Sequence, residues 1–101
     1  MDCRISKSAE RDLDDIFSYW ANRASVEVAE RILSGIQERF ALLAIQPRMG
    51  RKCDDFGPGL RCFPAGDYLV YYRKSRGTIS VLHVFHGARD QERAFRLSKP
   101  Q

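Results

Sequence analysis

Cysteine is scarce in this sequence, and its spacing fits neither of the residue's usual structural uses. The three cysteines, Cys3, Cys53 and Cys62, form an odd set without a C-x-x-C pair, which argues against a disulfide framework and against a zinc site. Cys3 and Cys62 fall in strand-like segments, where a free cysteine usually behaves as a small hydrophobic side chain. We therefore expect unreactive thiols in a reducing compartment.

Long apolar runs and common catalytic signatures are also missing. No stretch approaches the ~18 consecutive apolar residues of a transmembrane helix, so no membrane contact is expected. The start, MDCRISKSAERDLDD, is polar and lacks the apolar centre of a secretion signal, which predicts a cytoplasmic protein. Dinucleotide-binding, P-loop and G-x-S-x-G motifs do not occur, and no cofactor is expected.

The sequence has only two histidines, both in the second half of the segment TISVLHVFH at 78–86, which has the strongest strand pattern in the chain. His83 and His86 are three apart, which on a strand puts them on opposite faces and argues against a metal site built from both. His83 is predicted to share a face with Val81 and Phe85 and to be a structural histidine. No metal is expected.

Arginine is what the sequence has in quantity, and most of it lies in the second half. The chain has 101 residues, enough for one domain over 1–101, and 13 of its 17 basic residues are arginine. Residues 1–45 carry a net charge of −2 and residues 46–101 a net charge of +6. Arginine suits bidentate contacts with phosphate or carboxylate groups. The second half is therefore predicted to attract nucleic acid or an acidic protein segment, unless it is an ordinary solvated surface.

Two amphipathic patterns predict an antiparallel helical hairpin. The first helix is expected over about 9–22, capped by Ser8, with ERD and DLDD on its wet face. The second is expected from about 26 to 45, capped by Ser25. Gly35 lies inside it, which a close crossing of the first helix would explain; a neutral surface glycine is the alternative.

The remaining segments predict a small sheet. Residues 46–59 are rich in Gly and Pro and are expected to form a loop. Strands are predicted at 3–6, 60–63, 68–73 and 78–86, and a short final helix, capped by Asp90, at 89–97. The order β-α-α-β-β-β-α predicts an α+β fold: an N-terminal edge strand, an antiparallel helical hairpin packed on a small antiparallel meander sheet, and a short C-terminal helix.

Four basic side chains come together in this sheet if the strand register allows. Arg61 and Arg73 belong to the first two meander strands, and His86 and Arg89 lie at the end of the third. Arginines and a histidine could bind a phosphodiester and move a proton without a metal. The structural alternative is that Arg61 and Arg89 pair with Asp90 or Asp67 and close the sheet.

Three stretches of the chain resemble the RelE/ParE superfamily of toxins. SAERDLDDIFSYW has their A-x-x-D-L-x-x-I spacing, and QPRMGRKCDDFGPGLRCFPAGDYLVYYR resembles their run of P-x-x-G, G-L/Y-R and G-x-Y/H-x-x-x-Y-R. ISVLHVFHGARD is similar to the end of their last strand, I-x-V-x-x-V-x-H-x-x-x-D. The resemblance covers about residues 2–92 in the right order, is closer to the ParE-like toxins, and implies the same fold.

The resemblance implies the growth-inhibiting toxin of a type II toxin–antitoxin module, the kind of module associated with plasmid stabilisation. Its partner would be a ParD-like or related antitoxin, whose flexible and often acidic C-terminal segment wraps the toxin and blocks it. Such binding needs exposed apolar surface. The candidates, each of which could instead be core, are Phe17, Trp20, Phe63, Tyr71 and Tyr72.

The superfamily contains two activities, and the resemblance favours the one without chemistry. ParE-like members poison DNA gyrase, whereas RelE-like members cut messenger RNA on the ribosome with basic residues and usually a late aromatic residue or histidine. No tyrosine or histidine follows His86, and the last aromatic residue is Phe95. We therefore expect a gyrase inhibitor without catalytic residues. Its predicted partner-binding residues are Arg61, Phe63, Tyr71, Tyr72, Arg73, His86 and Arg89.

Two alternatives stay open. A ribosome-dependent endoribonuclease would use Arg61 and Arg89 to hold the scissile phosphate and His86 to transfer a proton. An inactive module would only bind its antitoxin. Operator DNA would be read by the antitoxin in each case, so no sequence-specific DNA binding by this chain is expected.

Overall fold

A computed structural model describes residues 2–90 as two helices and five strands. In chain order these are β1 (Asp2–Ile5), α1 (Lys7–Arg23), α2 (Val26–Ile45), β2 (Arg51–Lys52), β3 (Leu60–Ala65), β4 (Tyr68–Ser75) and β5 (Thr78–His86), with a 3-10 helix at Asp54–Phe56. Residues 87–90 form a turn. The helix predicted at 89–97 lies, apart from its first two residues, outside the described residues.

The strands form one mixed sheet in the order β1-β5-β4-β3-β2. β3, β4 and β5 make the predicted antiparallel meander, and β1 is an edge strand that runs parallel to β5. The predicted α+β architecture is confirmed. β2, at the other edge, was not predicted: it is a two-residue strand inside the expected loop, too short to show alternation.

The helices begin at serine caps, one of which differs from the prediction. Ser6 Oγ accepts a hydrogen bond from the Ala9 N–H and donates to the Leu82 carbonyl, both at 3.0 Å. Ser8 lies inside α1, so the predicted cap is wrong by two residues. Ser6 is favoured because its one hydroxyl both caps α1 and ties it to β5. Ser25 caps α2, as predicted.

Gly35 does not mark a close crossing of the two helices. A Cβ atom placed on Gly35 would have no other atom within 4 Å, so the close-crossing explanation is wrong and the surface-glycine explanation stands. Neither α1 nor α2 is long and apolar enough to cross a membrane, and the described part of the chain has no other helix of that length.

A β-bulge in β5 reverses the alternation of that strand. Its register with β4 shifts at Leu82, which is the extra residue. Val81 packs in the core beneath the helices, whereas the His83 ring stacks on Phe85 with 4.7 Å between ring centroids. The prediction that His83 shares a face with Phe85 is confirmed; the prediction that it shares that face with Val81 is wrong, because the bulge lies between them.

Asp12 of α1 lies against this bulge. Its Oδ2 accepts a hydrogen bond from the Val84 N–H at 2.9 Å and lies 3.1 Å from His83 Nδ1. The sequence pattern placed Asp12 on the wet face of α1, but it is only 4% exposed. A buried carboxylate needs such donors to offset its lost hydration. Asp12 therefore fastens α1 to β5, and His83 has the predicted structural role.

Each face of the sheet carries a cluster of buried apolar side chains, and the two clusters differ in size. The helices cover the larger group, the helix-side core: Ala9, Ile16, Ile36, Phe40, Leu43, Ala65, Tyr68, Val70, Tyr72, Ile79, Val81 and Val84. The opposite face carries the outer cluster: Cys53, Leu60, Cys62, Tyr71 and Phe85. Phe56 of the 3-10 helix packs on the outer cluster, so β5 has apolar neighbours on both faces.

Candidate functional site

The loop after α2 is held from beneath by the hydroxyl of Tyr72. This oxygen accepts a hydrogen bond from the Gly50 N–H and donates to the Pro47 carbonyl, both at 2.8 Å. A Cβ on Gly50 would lie 2.5 Å from the Tyr72 hydroxyl, so only glycine allows this approach. The P-x-x-G motif and the tyrosine of the Y-R motif therefore meet in space as one loop anchor.

Arg61 holds the same loop from the neighbouring strand. Its Nη1 donates to the Gly50 carbonyl at 2.6 Å and to the Arg48 carbonyl at 3.3 Å. Lys52 pairs directly with Arg61 across β2 and β3, and within the part of the chain that the structure describes neither has a carboxylate within 4.0 Å. The two cations line a shallow cleft of about 210 Å³ that also contains Asp54. Arg61 is thus a structural residue whose remaining N–H groups stay near the surface.

Arg73 has a comparable role on the other face of the sheet. Its Nε donates to the Pro58 carbonyl at 3.0 Å, and its cross-strand partner Leu60 belongs to the outer cluster. Gly57 and Gly59 both lie against the Arg73 side chain. Arg73 therefore stabilises the end of the loop that leads into β3, and it does not join Arg61 in one site.

A second group of polar and aromatic side chains lies where β4 begins and β5 ends. The Tyr68 hydroxyl accepts hydrogen bonds from Trp20 Nε1 at 2.8 Å and from Arg89 Nη2 at 3.3 Å. The Arg89 guanidinium also lies 4.1 Å from the centre of the Tyr19 ring, and the His86 ring meets Tyr68 edge-on. In this strand-end group (Tyr19, Trp20, Tyr68, His86 and Arg89), three members, Tyr19, Tyr68 and Arg89, line a cleft of about 160 Å³ beside α1.

His86 holds the turn that follows β5. Its Nδ1 accepts hydrogen bonds from the Ala88 and Arg89 N–H groups at 3.2 and 3.0 Å. The His86 N–H in turn donates to Asp90 Oδ2 at 2.7 Å. An Nδ1 that accepts these bonds carries no proton, so the neutral ring has its proton on Nε2. Proton transfer through Nδ1 would cost both bonds, which leaves Nε2 as the only free position.

The structure does not bring Arg61 together with His86 and Arg89. Arg61 pairs with Tyr72, and His86 pairs with Tyr68, four residues earlier on β4. Four residues of strand span about 13 Å at ~3.3 Å per residue. Arg61 also turns towards the loop at Gly50, whereas Arg89 turns towards α1. The basic residues singled out from the sequence therefore lie in three places: Arg61 at the loop, Arg73 on the opposite face of the sheet, and His86 with Arg89 at the strand end.

The aromatic candidates for partner binding divide by burial. Tyr71 and Tyr72 are 3% and 0% exposed and belong to the interior. Burial is the main cause that raises the pKa of Tyr71 to about 12, and it also raises that of Tyr72, so both stay protonated at neutral pH. The half-buried candidates that still reach the surface are Phe17, Trp20 and Phe63.

A groove between the two helices exposes apolar side chains. Leu13, Phe17 and Leu33 line it together with Glu10 and Asp14, and its volume is about 290 Å³. An apolar floor with an acidic rim suits a partner helix that has apolar and basic side chains. No group of three or more potential metal ligands lies close together among residues 2–90.

Sequence reasoning missed the residues that organise both regions. Ser6, Asp12, Pro47 and Gly50 all make tertiary contacts that fix a loop or a helix. The available signal was the motif spacing itself, because Asp12 and Gly50 are motif positions that neither periodicity nor a turn requires.

Comparison with known proteins agrees with this architecture. The family model described as "ParE toxin of type II toxin-antitoxin system, parDE" matches residues 3–91. Toxin ParE1 of Mycobacterium tuberculosis is 36% identical over 90 residues, covering 88% of this chain and 92% of that protein. Toxin ParE1 of Caulobacter vibrioides is 31% identical over 83 residues, covering 82% and 85%.

The fold has a counterpart among solved structures. A chain from the structure "Chromosomal ParDE TA system from P. aeruginosa" superposes with a TM-score of 0.75 at 21% identity, covering 85% of this chain and 95% of that one. At that identity the likeness concerns the fold alone. The family model and the sequence relatives together span the helical hairpin, the loop anchor and the strand-end group, and this chain belongs to the ParE toxin family of type II toxin–antitoxin systems.

Proposed function

We propose that this chain inhibits DNA gyrase by binding, without chemistry of its own, and that a cognate antitoxin neutralises it. The observation that carries the proposal is family membership over nearly the whole chain, at the motifs that build the loop anchor and the α1–β5 contact. The gyrase target follows from the resemblance to ParE-like toxins, and the antitoxin from the type II system to which the family belongs.

The arrangement of the basic residues supports a binding protein over a ribonuclease. A phosphodiester-cleaving site needs a proton-transfer group and charge-stabilising donors around one phosphate. Arg61 instead holds the loop at Gly50. The cross-strand partners of Arg61 and His86, Tyr72 and Tyr68, are about 13 Å apart along β4. His86 Nδ1 is engaged by the turn, and the Tyr71 and Tyr72 hydroxyls are interior and protonated.

Two exposed surfaces suit a protein partner. The groove between α1 and α2 offers Leu13, Phe17 and Leu33 to an amphipathic segment. The β2–β3 edge offers Lys52 and Arg61, which form no ion pair with a carboxylate among residues 2–90. An antitoxin segment with apolar and basic side chains, followed by acidic residues, would suit both surfaces, since the groove has an acidic rim and the residues from 46 onward carry a net charge of +6. We place the antitoxin on these surfaces.

Gyrase inhibition is tested with the purified toxin. The toxin is expected to lower the rate at which gyrase supercoils relaxed plasmid DNA and to increase the amount of cleaved DNA held by gyrase. Prior mixing with the cognate antitoxin should restore supercoiling. Normal supercoiling without trapped cleaved DNA, at toxin concentrations that arrest growth, would exclude gyrase as the target.

Two further experiments test the alternatives, a ribosome-dependent ribonuclease and an inactive antitoxin-binding module. Codon-positioned cuts in messenger RNA in a translation extract, abolished by His86→Ala, would assign the ribonuclease activity instead. Because His86 also holds the turn after β5, the thermal unfolding of the variant must be compared with that of the wild type. Expression without antitoxin that leaves growth unaffected would identify an inactive antitoxin-binding module.

A further inference from the structure

Cys53 and Cys62 are neighbours on one face of the sheet. Cys62 of β3 pairs with Arg51 of β2. Cys53 follows Arg51 by two residues and lies opposite Leu60, whose carbonyl accepts a hydrogen bond from the Cys53 N–H at 2.8 Å. Because side chains alternate along each strand, this register puts Cys53 and Cys62 on the same face as diagonal neighbours. Both belong to the outer cluster, opposite the helices.

Burial shields both thiols from solvent in the resting fold, so that access to them requires a local movement. Cys53 is 4% exposed and Cys62 is 1% exposed. Burial, and after it the neighbouring Cys53, raises the pKa of the Cys62 thiol to about 11. A thiol with that pKa is almost entirely protonated at neutral pH, and the thiolate is the reactive form. The 3-10 helix, with Phe56 packed on the cluster, must move before an oxidant can enter.

We propose that Cys53 and Cys62 form a redox-sensitive pair that a peroxide closes into an intramolecular disulfide. One thiolate attacks an oxygen of hydrogen peroxide, which breaks the O–O bond, forms a sulfenic acid and releases hydroxide. The second thiol attacks the sulfenic sulfur, so that the S–S bond forms and water leaves. The two thiols lose two electrons and two protons in total, and the peroxide is reduced to two waters.

Closing the bond requires a small displacement at the edge of the sheet. Diagonal neighbours on adjacent strands lie ~7–8 Å apart, and a disulfide needs a Cα separation of roughly 4.4–6.8 Å. The shift of about 1 Å falls on Cys53, because Cys53 follows the last residue of β2 and leads into the 3-10 helix. Oxidation therefore repositions the segment 53–59, including Pro58, whose carbonyl accepts the hydrogen bond from Arg73.

The test uses the chain with Cys3→Ser, which removes the exposed third thiol. Folded protein is treated with hydrogen peroxide, denatured, alkylated and weighed by intact mass spectrometry. The expected product is about 2 Da lighter before alkylation and has lost both alkylation sites. Peptide mapping should join the peptides of Cys53 and Cys62, and a dithiol reductant should restore both sites.

Matched controls carry Cys53→Ser or Cys62→Ser in the same background. Each retains one thiol and should show no loss of 2 Da from an internal disulfide. The inference is overturned if the Cys3→Ser chain keeps both thiols open to alkylation, or if it gains only oxygen atoms on Cys53 or Cys62. Peptide mapping separates these from methionine oxidation. No outcome depends on gyrase, so this test fails or succeeds independently of the proposed function.

Discussion

Tyr68 and Tyr72 lie four residues apart on β4, and both face the helix-side core. The hydroxyl of each tyrosine makes two hydrogen bonds, but the kinds of partner differ. Tyr72 bridges two main-chain groups, the Gly50 N–H and the Pro47 carbonyl. Tyr68 accepts from two side chains, Trp20 and Arg89, beside an open cleft. Main-chain partners fix the path of a loop, whereas side-chain partners can rotate away. The Tyr72 end of β4 is therefore held rigidly, whereas the side chains at the Tyr68 end can change their conformation.

The largest effect is expected from Gly50→Ala. The added Cβ would meet the Tyr72 hydroxyl at 2.5 Å and the Cys62 carbonyl at 3.0 Å, so the loop anchor must open. We expect a loss of roughly 3 kcal/mol in the free energy of unfolding, measured by urea denaturation. Gly35→Ala is the matched control: its Cβ meets nothing within 4 Å, and the helix should gain up to roughly 1 kcal/mol. Equal effects at the two glycines would contradict the loop anchor.

Tyr72→Phe should have the next largest effect. It removes both main-chain bonds and leaves the buried Gly50 N–H without its acceptor. A buried donor that loses its acceptor costs roughly 2 kcal/mol. The measurement is again urea denaturation, accompanied by amide hydrogen exchange at Gly50. Unchanged exchange protection would show that the hydroxyl does not hold the loop.

Tyr68→Phe should cost less, roughly 1 kcal/mol, although it also removes the acceptor of two hydrogen bonds. Trp20 and Arg89 are not fully buried, so water can replace the lost acceptor. The instructive readout is binding: the affinity for the antitoxin, measured by calorimetry, should change while stability changes little. A stability loss as large as that of Tyr72→Phe would remove the contrast between the two ends.

The smallest effect is a dependence on alkaline pH. Burial raises the pKa of Tyr72 above its usual value of 10, so ionisation favours the unfolded chain. The stability that Tyr72 contributes is complete below pH 10 and is lost as the pH rises through the folded pKa. The difference in unfolding free energy between wild type and Tyr72→Phe should therefore shrink above pH 10. A constant difference from pH 8 to 11 would contradict this.

The long periodic segments were predictable because their pattern is repeated many times. α2 runs from Val26 to Ile45 and β5 from Thr78 to His86, as their apolar spacing predicts. β2 has only two residues, and Ser6 is preferred over Ser8 through a bond to Leu82, far away in sequence. Local sequence propensity reveals neither the pairing of a two-residue strand nor a hydrogen bond between distant residues.

The candidate site was less predictable because it depends on register. Arg61 lies on β3 and His86 ends β5, with β4 between these two strands. Their distance therefore depends on which residues of β4 each strand pairs with. The bulge at Leu82 shifts that pairing by one residue and has no signature in the composition of β5. Cys53 and Cys62 became neighbours for the same reason, through an edge strand that periodicity could not reveal.

The parallel pairing of β1 with β5 has a kinetic consequence. Ser6 and Asp12 reach Leu82 and Val84 over more than seventy residues of chain, whereas the helical hairpin and the β4–β5 hairpin close locally. Contacts of such separation slow folding, although a longer loop adds only ~0.6 kcal/mol of closure entropy for each doubling of its length. The local hairpins should therefore form first, and the docking of the first strand should be a late step that limits the folding rate.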